Sequence, residues 1–256
     1  MNDPHVASLT YAASPSDTAS FENAPPIEGT TDGINYRLNH GQLRIEPNIH
    51  FPSIERAREH VDPLLASWEI DIALRFGSPE LSFLYQTAEV IDRDPPPPGS
   101  PHVIQVQSVA SASASGTATL RVSRGHYPDP PTSFRTSPDV DTLWERYQGY
   151  RQGREPLPSM AYFCLTLLEA MAGSRSRAAK TFRISARVLT KIGQLTSERG
   201  DPSTARKYRA VISGSPLTGL EIHWLEEAIK AIIRRVGELS STEALSTIEL
   251  NDLPPL

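Results

Sequence analysis

The chain is expected to be α+β: antiparallel strands with one helix in the first half, then an all-α bundle of four to five helices. Three observations predict this. Apolar residues alternate with period two before about residue 126, recur with a helical period after Asp139, and are separated there by Pro128, Pro130, Pro131 and Pro138. The organisation expected is an irregular N-terminal arm over 1–30, an α+β domain over 31–126, a Pro-rich linker over 127–138, a helical bundle over 139–239 and an acidic tail over 240–256.

The arm is rich in Ser, Ala, Pro, Asp and Thr, with one short strand around Val6–Tyr11. Ile34, Tyr36 and Leu38, then Leu43 and Ile45, alternate on either side of Asn39-His40-Gly41, a hairpin signal that Pro47 ends. Ser53 is a helix N-cap, followed at helical spacing by Ile54, Ala57, Val61, Leu64, Leu65 and Trp68. Pro63 inside that pattern should kink or split the helix. Leu81, Phe83 and Tyr85 alternate as a strand that Ala88 to Ile91 can continue. Ile104 and Val106 with Leu120 and Val122 suggest a second, long hairpin whose tip is almost all small residues.

In the second half, Val140, Leu143, Trp144, Tyr147 and Tyr150 form one stripe. Pro158 suits the first turn of the next helix, Met160–Met171 is apolar nearly all round and so central, and Gly173 stops it. Thr218 caps a last long helix with Ile222, Leu225, Ile229, Ile232, Ile233 and Val236 as its core face. Trp68, Trp144 and Trp224 each fall on an apolar stripe and read as core.

The chain has 256 residues, 38% of them hydrophobic, and one cysteine, Cys164, so no internal disulfide can form. The N-terminus lacks the basic start and apolar run of a signal peptide, and Met160–Ala172 is too short to span a bilayer. A cytoplasmic protein is expected. The net charge of −5 hides an asymmetry: residues 1–130 hold 16 acids against 8 arginines, whereas residues 131–256 hold 17 bases against 14 acids. Gly173–Arg209 alone carries Arg175, Arg177, Lys180, Arg183, Arg187, Lys191, Arg199, Arg206, Lys207 and Arg209 against Glu198 and Asp201. Such an excess in an acidic chain marks an anion-facing surface, or one that docks on the acidic half of the chain itself.

Catalytic and metal patterns are sparse. Glu55, Glu59, His60 and Asp62 cluster, but Arg56 and Arg58 interleave with them, which favours a solvated helix face. Cys164 lies in the most apolar helix and reads as a core thiol. His223 begins the final helix as a partly buried polar contact. There is no phosphate-binding loop, no nucleophile elbow and no Cys-x-x-Cys pair. No cofactor and no metal are expected.

Residues 177–195, RAAKTFRISARVLTKIGQL, can be wound in two ways. As one helix at about 100° per residue, Ile184, Val188, Leu189, Ile192 and Leu195 share a face opposite a ladder of Lys180, Arg183, Arg187 and Lys191. Alternatively, Ala178, Ala179 and Phe182 end a first helix, Arg183-Ile184 turns, and Ser185 caps a second helix carrying Val188, Leu189 and Ile192. Wound that way the stretch resembles a helix-turn-helix DNA-binding unit, departing from it at Arg183, where a glycine usually makes the turn. The resemblance implies that Ser185, Ala186, Arg187 and Lys191 face the groove, with arginines elsewhere on phosphates. A compact bundle after an α+β half also looks like HEPN-type proteins, whose ribonuclease signature is Arg, four to six residues, then His. The spacing occurs at Arg121–His126 and Arg44–His50, both at strand ends, and not before His223.

The function expected from the sequence is that of a non-enzymatic cytoplasmic accessory protein. Its nucleic-acid or anion-binding residues would be Lys180, Arg183, Ser185, Arg187, Lys191, Arg206, Lys207 and Arg209. The partner would be DNA or RNA, an acidic protein surface or a second copy, and not a membrane. The alternatives are a structural or protein-interaction module that binds no nucleic acid, and a HEPN-type ribonuclease-like protein.

Overall fold

The computed structural model describes residues 2–16, 19–78, 80–94, 107–108, 122–198, 216–241 and 244–256. The chain divides into two compact units, Met1–Thr132 and Ser133–Leu256. The fold is mixed α and β.

The first unit is built on an antiparallel sheet. Its strands are β1 (Pro4–Pro15), β3 (Ile27–Thr31), β4 (Ile34–Asn39), β5 (Gln42–Pro47), β6 (Leu81–Asp92) and the two-residue β7 (Gln107–Ser108), with β2 (Ala19–Ser20) outside the sheet. The order is β3-β4-β5-β1-β6-β7. Helix α1 (Ile54–Phe76) connects β5 to β6 and covers one face.

Two hairpin turns set the register. Asp32-Gly33 and His40-Gly41 both have positive φ at both central residues, the pattern of a type I′ turn, whose twist matches the flanking strands. The alternation in β4 and β5 follows: Ile34, Leu38, Leu43 and Ile45 are buried, and Asn35, Arg37, Arg44 and Glu46 are exposed. On the buried face Trp68 of α1 packs edge-on to Tyr36 and against Phe83, and its Nε1 donates to the Pro128 carbonyl at 3.0 Å.

Several expectations need correction. The arm over 1–30 is not irregular: the short strand expected around Val6–Tyr11 is the middle of the longer β1, which pairs with both β5 and β6. Its alternation is hidden because register shifts between Val6 and Ser8 and between Thr10 and Tyr11 break the period of two. Pro63 does not split α1, which runs unbroken through it. Both Pro63 and Glu59, whose carbonyl loses its helical donor there, are exposed, so water can satisfy that group. The proposed second hairpin lies mostly outside the described residues. Its described ends pair elsewhere: β7 with β6, and β8 (Val122–Ser123) in parallel with β2.

Among its described residues the second unit holds five α-helices: α2 (Pro138–Arg151), α3 (Leu157–Ala172), α4 (Arg175–Thr181), α5 (Ala186–Glu198) and α6 (Gly219–Glu238). α3 touches the other four, as its apolar surface demands. Gly173, at φ 82°, ends it. Thr218 and Glu221 form a reciprocal capping box at the start of α6. The α6 core face is Trp224, Leu225, Ala228, Ile229, Ile232, Ile233 and Val236. Ile222, expected on that face, is exposed, because it lies one residue past the buried Glu221 in the first turn.

The Pro-rich stretch is not a free spacer. Tyr127 is buried in the first unit, stacked on Phe21. Phe134 is buried in the second, against the α6 backbone at Gly237, where a Cβ would lie 2.3 Å from its ring. Trp224 is core as expected; Trp144 is half-buried. No helix among the described residues is long and apolar enough to cross a membrane.

Candidate nucleic-acid interface

Residues 177–195 do not form one helix. α4 ends at Thr181, Phe182 leaves the helix at φ −90°, and Arg183 turns the chain at φ +50°. The single-helix ladder of Lys180, Arg183, Arg187 and Lys191 is therefore overturned, and the second winding is the one found. Its cause is local. Ser174 caps α4 by accepting the Arg177 N–H (3.3 Å), and Ser185 opens α5 by accepting the Arg187 N–H (3.3 Å). Two competing caps eleven residues apart divide the segment.

The apolar residues bury together. Ala178, Phe182, Ile184, Val188, Leu189, Ile192 and Leu195 are each at most 2% exposed. Burying Phe182 and Ile184 on either side of the turn stabilises it by roughly 1.5–3 kcal/mol each, which outweighs the strain of an L-residue at positive φ, about 1–2 kcal/mol.

What remains outside is cationic. Arg177, Lys180, Arg183 and Arg187 are exposed, Lys191 is half-buried, and Ser185 is half-buried with its hydroxyl at the cap. None of these five cations is ion-paired among the described side chains, whereas Arg175 is held by Glu169 at 2.5 Å and lies against Gly193. The sequence explains the difference. No acid stands three or four residues from Lys180, Arg183, Arg187 or Lys191, so no helical pairing is open to them. Arg206, Lys207 and Arg209, expected to belong to the same surface, lie outside the described residues.

The structure adds two polar side chains that charge counting missed. Thr190 and Gln194 are exposed and continue the i, i+3, i+4, i+7 stripe that starts at Arg187 and includes Lys191. Ala186, small and exposed, precedes it. That spacing was readable once Ser185 was taken as the cap.

The other constellations carry no site. Arg56 donates to Glu59 (2.9 Å), Arg58 to Asp62 (2.8 Å), and the Tyr11 hydroxyl to the second Asp62 oxygen (2.7 Å). His60 Nε2 contacts the Asp32 carbonyl. Among the described residues no group of three or more His, Cys, Asp or Glu side chains could hold a metal. Cys164 is fully buried, and burial pushes its thiol up to about 12, so it is not poised as a nucleophile. His223, expected to be partly buried, is exposed. Arg44 is tied to Glu46 and Glu89 while His50 stacks on His5 and faces Asp3, so that Arg–His spacing makes no pair. Arg121 lies outside the described residues.

Family models, curated proteins and solved structures were all compared with the chain, and none matches it.

Proposed function

We propose that the second unit binds nucleic acid through α4 and α5, with α5 laid against the duplex as the reading helix of a helix-turn-helix. The observation that carries this is the set of five cations with no acid partner among the described side chains, spread over two short helices and the turn between them. Paired cations would cancel locally; unpaired ones project a field that a polyanion answers by releasing counterions. Arg177, Lys180 and Arg183 contact phosphates, and Arg187 and Lys191 add their charge to the same engagement of the backbone. Arg187, Thr190, Lys191 and Gln194 share one stripe of α5, where amide, hydroxyl and guanidinium groups can reach base edges.

The test is a titration of labelled mixed-sequence duplex DNA, single-stranded DNA and RNA against the full chain at rising salt. Duplex binding is expected to weaken with a log–log slope of roughly −4, one counterion step for most of the five cations. Absence of binding at low salt overturns the reading in favour of a protein-interaction module.

A further inference from the structure

The turn between α4 and α5 closes without glycine, and two distant parts of the chain hold it. The Arg183 carbonyl accepts from Arg235 Nη1 at 3.0 Å and from the Ile248 N–H at 2.8 Å. The Ile248 carbonyl in turn accepts the Ser185 N–H at 2.9 Å, so the tail lies beside Ile184 as a one-residue parallel bridge. Arg235, 6% exposed on α6, shares the same Nη1 with the carbonyls of Phe182 (3.4 Å) and Ser246 (2.6 Å), and its Nε faces Glu238 at 3.3 Å. One buried guanidinium thus ties together the end of α4, the turn and the tail.

We infer that Arg235 and the tail around Ile248 are positioning elements for the binding surface; the inference rests on the nucleic-acid reading of α4–α5. They hold Arg183 in the left-handed region and so set where Lys180 and Arg183 stand relative to Arg187 and Lys191. Neither touches the ligand. A tail acting as an acidic mask is the competing arrangement, and the geometry disfavours it. The tail carboxylates of Glu249 and Asp252 each accept the other's backbone N–H, and neither is ion-paired to a cation among the described side chains.

The experiment is a four-protein cycle: the full chain, the chain ended at Ser241, Arg183→Gly, and both changes together. Ending the chain at Ser241 should lower the melting midpoint. It should also weaken duplex binding by roughly three- to tenfold, with the salt slope unchanged because no phosphate contact is lost. Arg183→Gly, which needs no clamp to hold positive φ, should recover most of the lost midpoint in the shortened chain and raise it less in the full chain. Arg235→Lys, which keeps the charge but not the planar fork, should behave like the shortened chain. Tighter duplex binding by the shortened chain, or equal effects of Arg183→Gly in both backgrounds, overturns the inference. A full chain that binds no duplex sinks the nucleic-acid reading and the positioning role with it, while the midpoint cycle still reports whether the clamp exists.

Discussion

The guanidinium of Arg235 lies 3.0 Å from the carbonyl oxygen of Arg183, joining residues 52 apart in sequence. That contact links the last long helix of the chain to the turn between the two helices that carry the exposed cations. Stability and binding therefore meet at Arg183, and they can be separated there. Arg183→Gly removes a strained left-handed L-residue and a cation together. It is expected to leave the full chain unchanged or more stable by up to about 1 kcal/mol, while duplex affinity falls. Denaturant unfolding and a binding titration on the same protein would check that the two move in opposite directions.

Thr218→Ala breaks the capping box that starts α6, removing the hydroxyl that accepts the Glu221 N–H and donates to the Glu221 carboxylate, while the backbone N–H of residue 218 still donates to that carboxylate. A cost of about 1 kcal/mol is expected from loss of the cap. Urea unfolding would show it as a lower midpoint at unchanged slope.

Alkaline pH should destabilise the second unit, beginning with Cys164. Burial raises its thiol from 9.0 to about 12, so the unfolded chain loses the proton first. The contribution is fully present below pH 9 and is lost as pH rises toward 12, at about 1.4 kcal/mol per pH unit. Tyr150, raised by burial and by its bond to Glu226, joins above pH 10, as does Tyr11 in the first unit, raised by burial and by Asp62. In Cys164→Ala the stability profile should stay flatter between pH 9 and 10. An unchanged slope there would remove the thiol from the account.

Glu69 of α1 runs the same way, but from the carboxylate range upward rather than in alkali. Burial raises its carboxyl despite the Phe83 N–H it accepts. A raised carboxyl is at ease protonated, and its ionisation costs stability above the usual carboxylate range. Glu69→Gln keeps an acceptor for Phe83 and carries no charge. It should therefore be neutral or stabilising by up to about 1 kcal/mol at pH 7, with the difference vanishing in acid. Urea midpoints at the two pH values decide it.

Much of this architecture was readable where one period runs undisturbed. β4 and β5, the capped start of α1, α3 with its Gly173 stop and α6 with its Thr218 cap all follow from spacing and end residues. β1 was readable only as the short strand around Val6–Tyr11; its full length and central place were not, since two register shifts interrupt its alternation and Ala and Ser fill many of its other positions. β3 carried a signal that went unused, the Asp32-Gly33 dipeptide of its turn. The division of residues 177–195 was legible as one of two windings, and the two serine caps decide between them. The clamp by Arg235 and Ile248 had no local signature at all, because it depends on a contact between segments more than fifty residues apart.

The central claim is that Arg187 and Lys191 of α5 engage phosphates or bases. It is tested most directly by the salt dependence of duplex binding in the Arg187→Ala/Lys191→Ala protein beside the parent chain. The account predicts weaker binding and a log–log slope shallower by roughly 2, one step for each cation removed. A double variant with the parent's affinity and slope would contradict it.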